Sequence, residues 1–301
     1  MKTWEGVYPA VTTKFNEDNN LDFAAMERHF NAMIEAGVHG LVVTGTLGEN
    51  GSLSAEEKQE VLKTAVAVSG GRVQVLAGVA ETTTAGACRC VEAGAKNGAD
   101  GFMVLPAMQY AADRRETLHH FRTVARVSAK PIMIYNNPVS YKVDVTPEMF
   151  AELADEPAFV AIKESSDDVR RLTDLYNRCG DRYRLFTGVD DLALESLLLG
   201  AVGWVAGLVC AFPAETVAIY NLARAGKVAE ARAIYRWFMP LLHLDVSTKL
   251  VQNIKLAEVA TGLGTERVRP PRLPLAGEER ARVERIIADA LASRPALASH
   301  A

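Results

Sequence analysis

The stretch FVAIKE at residues 159–164 sets a lysine, Lys163, directly after four apolar residues. Short apolar runs of this kind are typical of strands that are buried on both faces of a parallel sheet. A lysine at the end of such a strand would point its amine into the space where the neighbouring strands also end. The stretch therefore predicts a buried strand that carries a charged or reactive group at its carboxyl end.

Strand-like runs recur along the chain, and each is followed by a longer segment with apolar residues at helical spacing. The predicted strands cover residues 7–13, 41–44, 73–77, 101–105, 132–135, 159–163, 184–187 and 203–206. Two of the predicted helices have recognisable starts, a capping-box sequence at Ser54 and a proline at Pro147. Regular strand–helix alternation predicts parallel strands with right-handed crossovers, and eight such units predict an α/β fold of the (β/α)8 or TIM-barrel class. The alternative is an open doubly wound sheet, but its Gly-x-Gly-x-x-Gly signature opens none of these helices.

Three further helical segments follow the eighth unit, at residues 228–246, 248–261 and 277–292. They predict a C-terminal helical extension that forms a small bundle. We therefore predict two regions, a catalytic barrel at residues 1–226 and a helical bundle at residues 227–301.

The composition is that of a globular protein, with 49% hydrophobic and 23% charged residues among 301. A net charge of −4 gives no basic field that would attract nucleic acid or an anionic membrane surface. The uncharged segment 196–214 is nearly long enough to span a bilayer. Glycines and a proline divide that segment, which favours a helix end, a buried strand and a loop over a membrane span.

The cysteines and histidines show no spacing typical of a disulfide framework or a metal site. The four cysteines are Cys88, Cys90, Cys179 and Cys210. The sequence also contains no Gly-x-Ser-x-Gly nucleophile elbow and no phosphate-binding loop. Since no apolar signal-peptide core follows Met1, we expect a cytoplasmic protein. From the spacing of the cysteines and histidines we expect reduced cysteines and no metal, and we expect no other cofactor.

Active sites of such barrels lie at the carboxyl ends of the strands, which directs attention to Lys163 at the end of the sixth. The usual lysine pKa is about 10.4, so about one amine in a thousand is a free nucleophile near neutral pH. Burial lowers that pKa and makes the lone pair available for attack on a carbonyl carbon. The alternative is a structural ion pair between Lys163 and a carboxylate such as Asp190 or Glu49.

Two neighbouring strand ends carry further candidates. Tyr135 ends the fifth strand, where its hydroxyl could move protons for a Schiff-base intermediate, although a strand tyrosine is usually a core residue. The glycine-bounded loop from Gly45 to Gly48 follows the second strand, and its backbone N–H groups could bind a carboxylate. The three features together indicate Schiff-base chemistry on a small 2-oxo-acid-like substrate.

At these residues the sequence resembles the dihydrodipicolinate synthase and N-acetylneuraminate lyase family of class I aldolases. The matching motifs are Gly45-Thr46-Leu47-Gly48-Glu49, Tyr135-Asn136-Asn137-Pro138, Ile162-Lys163-Glu164 and Thr187-Gly188-Val189-Asp190. The resemblance implies that Lys163 forms the Schiff base, that Tyr135 relays protons, and that the loop around Thr46 binds the substrate carboxylate. It also implies a homotetramer built as a dimer of dimers.

The expected site residues follow from that resemblance. The catalytic groups are Lys163, Tyr135 and Thr46, and the substrate contacts are Gly45, Leu47, Gly48, Asn137, Ser140, Gly188 and Val205.

Three departures from the synthase pattern bear on the substrate. Ser140 stands where the synthases carry an arginine for the second substrate's carboxylate, and Leu47 replaces a threonine. Met108 replaces a tyrosine that reaches a neighbouring subunit, and Tyr110 could take its place only if the loop shifts. These departures argue against a role in lysine biosynthesis.

Several longer stretches resemble instead the bacterial 1-pyrroline-4-hydroxy-2-carboxylate deaminases of hydroxyproline catabolism. These stretches cover residues 4–15, 159–171, 245–248 and 251–255, the last two within the C-terminal extension. Three other functions stay open: a sugar-acid dehydratase, a 2-oxo-acid aldolase or lyase of the same family, and a non-catalytic sensor of 2-oxo acids.

Overall fold

The computed structural model describes residues 3–107 and 109–297. Eight parallel strands form one sheet, in which each strand pairs with the next along the chain from β2 to β8 and β8 pairs with β1. The strands are β1 (Gly6–Pro9), β2 (Gly40–Val43), β3 (Gln74–Val79), β4 (Gly101–Val104), β5 (Ile132–Asn136), β6 (Phe159–Glu164), β7 (Arg184–Thr187) and β8 (Gly203–Ala206). A parallel bridge between Ala10 and Val42 joins β1 to β2. The protein is therefore a (β/α)8 barrel, as the sequence predicts.

Helices follow the strands and cover the outside of the barrel. They are α1 (Phe23–Glu35), α2 (Ala55–Ser69), α3 (Thr84–Lys96), α4 (Arg114–Val127), α5 (Pro138–Tyr141), α6 (Pro147–Glu152), α7 (Arg170–Cys179), α8 (Ala193–Leu198) and α9 (Pro213–Arg224). The capping box predicted at Ser54 is present, since Ser54 and Glu57 each bond the other's backbone N–H through their side chains. Pro147 occupies the first turn of α6, also as predicted.

The prediction for the first strand was wrong at its carboxyl end. Strand β1 ends at Pro9, whereas the β-branched run predicted a strand to residue 13. Beyond the Ala10 bridge the backbone no longer pairs with a neighbouring strand. The hydroxyl groups of Thr12 and Thr13 form hydrogen bonds there instead. The Thr13 hydroxyl, for example, donates to the Gly48 carbonyl oxygen at 2.6 Å.

Three more helices complete the chain: α10 (Val228–Leu242), α11 (Leu250–Thr261) and α12 (Gly277–Ala292). The first of them ends four residues before the predicted limit, which leaves residues 243–249 as a connection between α10 and α11. The hydrophobic core runs without a break from the barrel strands into α10, α11 and α12. The division of the chain at residue 226 stays a prediction.

Two buried ion pairs hold α11 over the barrel mouth. Lys255 Nζ lies 2.6 Å from Glu49 Oε1 in the loop that follows β2, and both side chains are fully buried. Lys14, in the segment after β1, forms a second fully buried pair with Glu258. Since the partners lie far apart in sequence, these pairs fix the C-terminal extension against the end of the barrel where the loops converge.

Within the described chain, the helices are all too short or too polar to cross a membrane. The uncharged segment 196–214 instead contains the end of α8, all of β8 and the start of α9. Strand β8 is buried along its whole length, which accounts for the absence of charge.

Candidate active site

A cavity of about 530 Å³ opens at the carboxyl ends of the strands. Nine of the ten predicted site residues line it, and the tenth is Gly48. The nine are Gly45, Thr46, Leu47, Tyr135, Asn137, Ser140, Lys163, Gly188 and Val205. The structure thus brings together residues from the ends of β2, β5, β6, β7 and β8, as expected for side chains that follow parallel strands of one barrel.

Lys163 enters the cavity from β6. Its Cα is paired in register with that of Tyr135 on β5, and its Nζ atom lies 4.0 Å from the centre of the Tyr135 ring. On the other side it passes Gly188, where a Cβ atom would stand 2.4 Å from Lys163 Cε. A glycine is required there, because any larger residue would block the path of the lysine side chain.

The carboxylates that could have paired with Lys163 are bound elsewhere. Asp190 accepts hydrogen bonds from Trp204 Nε1 at 2.8 Å and from the backbone N–H groups of Gly207 and Leu208. Glu49 pairs with Lys255. Lys163 forms no ion pair with any carboxylate in residues 3–107 and 109–297. The alternative that Lys163 serves only in a structural ion pair therefore has no carboxylate among those residues to support it.

Burial lowers the pKa of Lys163, and the neighbouring Tyr141, Asp245 and Asp190 offset part of that effect. Lys163 is 6% exposed, so the charged ammonium loses most of its hydration. A lowered pKa increases the fraction of neutral amine near neutral pH, which is the form that attacks an electrophilic carbon.

Tyr135 presents its hydroxyl beside this amine. Asn137 Nδ2 donates a hydrogen bond to the hydroxyl oxygen at 3.1 Å, which orients the phenol. Burial raises the pKa of Tyr135, so the group is a neutral proton donor at rest. Both properties suit a proton relay next to the lysine.

A second tyrosine, Tyr141, lies in the same cavity and was missed by the sequence analysis. Its hydroxyl forms a hydrogen bond with the Thr46 hydroxyl, and its ring packs edge-on against Tyr135 with ring centres 5.7 Å apart. Burial also raises the pKa of Tyr141. Thr46, Tyr141 and Tyr135 therefore form a chain of neighbouring hydroxyl-bearing side chains that leads to Lys163.

The residues considered for the second tyrosine do not form this chain. Tyr110 is 60% exposed, and its hydroxyl donates to Glu116 Oε1 at 2.8 Å in the first turn of α4. Met108 lies outside the described residues. Tyr141 follows Asn137 by one helical turn, and α5 carries it back over the cavity.

The loop from Gly45 to Gly48 presents backbone donors to the cavity. The N–H groups of Thr46 and Leu47 have no acceptor among residues 3–107 and 109–297. Gly48 faces away and binds the Thr13 hydroxyl through its carbonyl group. Free N–H groups beside an amine form a site for a carboxylate attached to an electrophilic carbon.

Ser140, Lys142 and Val205 also line the cavity. Ser140 is exposed at the rim, and its backbone N–H is bound by Asn137 Oδ1 at 2.9 Å. Val205 on β8 is buried in the floor. Lys142, also at the rim, donates to the Val139 carbonyl at 2.7 Å.

Two further polar side chains in the cavity were not among the predicted site residues. Ser165 has a buried hydroxyl without a partner among the described residues. Asp245 reaches the cavity from the connection between α10 and α11. Its sequence signal was weak, because residue 245 was expected to lie within a helix.

One cluster of possible metal ligands lies away from the cavity. Ligand atoms of His29, Cys210 and Glu258 fall within 4.8 Å of one another, and all three residues are buried. The ammonium group of Lys14 already binds the Glu258 carboxylate, so a fixed cation stands where a metal would have to be placed.

Comparisons with known proteins agree on one family. The sequence model of the dihydrodipicolinate synthetase family matches residues 3–290. A 4-hydroxy-tetrahydrodipicolinate synthase from Methanoculleus marisnigri is 30% identical over 94% of this chain and 97% of its own length. An uncharacterised DapA-like lyase from Rhizobium meliloti is 33% identical over 90% of this chain and 91% of its own length.

Solved structures lead to the same family. The 4-hydroxy-tetrahydrodipicolinate synthase of Methylacidiphilum fumariolicum superimposes with a TM-score of 0.91 at 28% identity, covering 97% of this chain and 98% of its own. The dihydrodipicolinate synthase of Acinetobacter baumannii, solved in complex with pyruvate, gives a TM-score of 0.91 at 26% identity, covering 96% and 99%. The chain belongs to the dihydrodipicolinate synthetase family.

Proposed function

We propose that this protein is a Schiff-base deaminase that converts 1-pyrroline-4-hydroxy-2-carboxylate and water to 2,5-dioxopentanoate and ammonia. The observation that carries the proposal is the Lys163 amine beside the N–H groups of Thr46 and Leu47, all of them without a partner in the part of the chain that the structure describes. A cyclic imine with a carboxylate on its electrophilic carbon matches both features. Such an activity would serve hydroxyproline catabolism.

The reaction begins with attack of the neutral Lys163 amine on C2 of the ring. The C2–N1 bond breaks, the nitrogen leaves as a primary amine on C5, and the lysine nitrogen becomes the new imine nitrogen. The substrate carboxylate binds the N–H groups of the loop that starts at Gly45. Tyr135, oriented by Asn137, moves the proton between the two nitrogens.

Loss of a C3 proton then gives an enamine, whose electrons expel the C4 hydroxyl as water. Proton shifts along the carbon chain move the remaining double bond to C5 and its nitrogen. Hydrolysis at C5 releases ammonia, and hydrolysis at C2 releases the product from Lys163. One water is lost and two are consumed, which balances the overall reaction.

The rim of the cavity favours this reaction over the synthase reaction named for several relatives. Joining pyruvate to a second substrate with its own carboxylate requires a partner for that carboxylate, and a guanidinium provides it through two parallel hydrogen bonds. Ser140 offers a single hydroxyl at this place, and Lys142 is turned toward the Val139 carbonyl. The pyrroline has one carboxylate and needs no such partner.

A dehydratase or aldolase of the same family is the second candidate, since it would use the same lysine on an open-chain 2-oxo acid. A sensor would bind a 2-oxo acid without turning it over. The hydroxyl chain from Thr46 to Tyr135 supports an enzyme, because a binding site alone has no need of a proton relay.

Product analysis separates these candidates. The panel contains the hydroxylated pyrroline, pyruvate with aspartate semialdehyde, a deoxy-oxo-glucarate and N-acetylneuraminate. We expect ammonia from the pyrroline and no condensation of pyruvate with the semialdehyde. A far higher kcat/KM for the deoxy-oxo-glucarate would overturn the deaminase proposal in favour of a dehydratase.

Trapping of the intermediate tests the lysine directly. Reduction with borohydride in the presence of substrate should add the substrate-derived mass at Lys163. An active sample in which Lys163 stays unmodified would remove the Schiff-base step from the proposal. We further propose a cytoplasmic homotetramer, which light scattering and cell fractionation would test.

A further inference from the structure

Asp245 brings an acidic side chain into the cavity from outside the barrel. It lies in the connection between α10 and α11, and its carboxylate rests against Gly207 at the end of β8. A Cβ atom at Gly207 would stand 2.3 Å from Asp245 Oδ1, so the absence of a side chain there makes room for the carboxylate. Asp245 thus approaches Lys163 from the β8 side, whereas Tyr135 approaches from β5.

The backbone around Asp245 is held firmly. The Asp245 N–H donates to the Leu242 carbonyl at 3.0 Å. On the other side, the amide group of Asn253 in α11 donates to the Leu244 carbonyl at 3.0 Å and to the Ser247 hydroxyl at 2.9 Å. These bonds fix the position from which the carboxylate enters the cavity.

The carboxylate itself is unpartnered. No side chain or backbone group among residues 3–107 and 109–297 donates a hydrogen bond to Asp245, in contrast to Asp190 beside it, which accepts from Trp204, Gly207 and Leu208. Buried and half-buried carboxylates usually have such partners. A fixed backbone with a free acidic group that faces the reactive amine is the arrangement expected of a group that acts on the ligand.

The electrostatic surroundings favour the protonated form of this group. Burial and the nearby Asp190 carboxylate raise the pKa of Asp245 well above its usual value, and Lys163 offsets part of the effect. A carboxyl group with a raised pKa can donate a proton near neutral pH, as a general acid must.

We propose that Asp245 is the general acid that protonates the C4 hydroxyl as it leaves. This role rests on the proposed function. It supplies the proton for the departure of the C4 hydroxyl, a step to which neither Lys163 nor Tyr135 has been assigned. The enamine electrons form the C3–C4 double bond while the C4–O bond breaks, and the Asp245 proton goes to the departing oxygen, which leaves as water. Asp245, now a carboxylate, regains a proton from solvent through the cavity mouth.

The chemistry requires such a donor because hydroxide is a poor leaving group. The position of Asp245 also fits the geometry of the substrate. With the carboxylate bound by the loop after β2 and C2 bonded to Lys163, the ring carbons beyond C3 extend across the cavity. Asp245 borders that space from β8, which lies two strands from β2 and two strands from β6 around the barrel.

The test combines a variant with two substrates. Asp245→Asn keeps the shape of the side chain and removes the transferable proton. We expect ammonia release from the 4-hydroxy ring to fall by about 10²- to 10⁴-fold, while the trapped mass at Lys163 still appears. On the 4-chloro ring, whose chloride leaves without a proton, the variant should release chloride within a few-fold of the wild-type rate.

Asp155→Asn is the matched control. Asp155 is 67% exposed and binds Arg122 of α4 at 2.9 Å on the outside of the barrel, so both substrates should react at wild-type rates. The inference about Asp245 is overturned by near-normal ammonia release in Asp245→Asn, or by an equal loss on both substrates. A wild-type protein that forms no ammonia from the hydroxy ring would instead overturn the proposed function, and no variant is needed to see it.

Discussion

The Lys163 amine nitrogen lies 4.0 Å from the centre of the Tyr135 ring, because β5 and β6 place the two residues side by side. The ring packs against the lysine, while the phenol hydroxyl accepts a hydrogen bond from Asn137 and keeps its own proton for transfer. The ring of Tyr135 contacts Lys163, whereas its hydroxyl is the group that can transfer a proton. A substitution can therefore remove the hydroxyl and leave the ring contact in place.

Tyr135→Phe keeps the ring against Lys163 and removes the hydroxyl. We expect the protein to fold and still to accumulate the trapped adduct at Lys163, but to form it and to turn over about 10²- to 10⁴-fold more slowly. Steady-state ammonia release and mass spectrometry after reduction measure the two effects. Tyr220→Phe is the control, because Tyr220 binds the Val202 carbonyl at 3.0 Å outside the cavity. Near-normal turnover of Tyr135→Phe would return Tyr135 to an ordinary core role.

The Thr46–Tyr141 hydrogen bond supports a second prediction, through a double-mutant cycle. Thr46→Val and Tyr141→Phe each break the same contact, so each should lower turnover. If the two hydroxyls act as one relay, the double variant should be about as slow as the slower single variant, since coupled residues are not additive. Independent losses that multiply in the double variant would show that the two side chains act separately.

The fold was accessible from the sequence because the eight buried strands are continuous apolar runs separated by amphipathic helices. The pattern failed after Ala10, where the hydroxyl groups of Thr12 and Thr13 donate to Glu258 and to the Gly48 carbonyl and the strand does not continue. Lys163 was recognisable because a charged residue after FVAI is unusual. Loop residues carry no such pattern.

Tyr141 and Asp245 illustrate that limit. Tyr141 reaches the cavity because α5 turns the chain back after Asn137, and one short helix of this kind is not predictable from periodicity. Asp245 reaches it because α10 ends at Leu242 and α11 packs over the barrel mouth. Both placements depend on long-range packing, which a strand and helix pattern does not encode.

A third prediction concerns the pH dependence of adduct formation. Neutral amine is the reactive form, and burial lowers the pKa of Lys163, so the rate of trapping should rise with pH and level off below the usual lysine pKa. The measurement is the initial rate of reductive trapping across pH 6 to about 10.4. A rate that still rises tenfold per pH unit at the upper end would show that Lys163 titrates as an ordinary exposed lysine.

His29 makes the stability of the protein depend on pH. Burial and the nearby Lys14 lower its pKa from 6.5 to about 4, Glu258 acts in the opposite direction, and its Nε2 atom lies 2.8 Å from the Cys210 carbonyl oxygen. The unfolded chain therefore binds a proton below about pH 6.5 that the folded chain does not bind until about pH 4. Stability from this group is complete above pH 6.5 and is lost as the pH falls toward 4.

The loss should reach about 2 kcal/mol at pH 5 relative to pH 8, and His29→Gln should remove that part of the pH dependence. Glutamine can still donate to the Cys210 carbonyl, so the variant tests titration rather than the hydrogen bond. Urea unfolding at both pH values, compared between wild type and variant, provides the measurement. Equal pH slopes for the two proteins would contradict the prediction.

The buried pair of Lys255 and Glu49 leads to the last prediction. Glu49 directly follows the loop proposed to bind the substrate carboxylate, yet its own carboxylate is fully buried and accepts from Lys255 Nζ at 2.6 Å and from the Arg269 N–H at 3.1 Å. Glu49 thus anchors the loop to the C-terminal extension and does not face the cavity.

Lys255→Met leaves the charge of Glu49 buried with one partner fewer, which should lower the free energy of unfolding by about 3–5 kcal/mol and raise KM through a loosened loop. Adding Glu49→Gln should recover part of the stability, because no charge is then left unpaired. A cost below about 1 kcal/mol for Lys255→Met, or no recovery in the double variant, would show that the pair does not hold the loop in place.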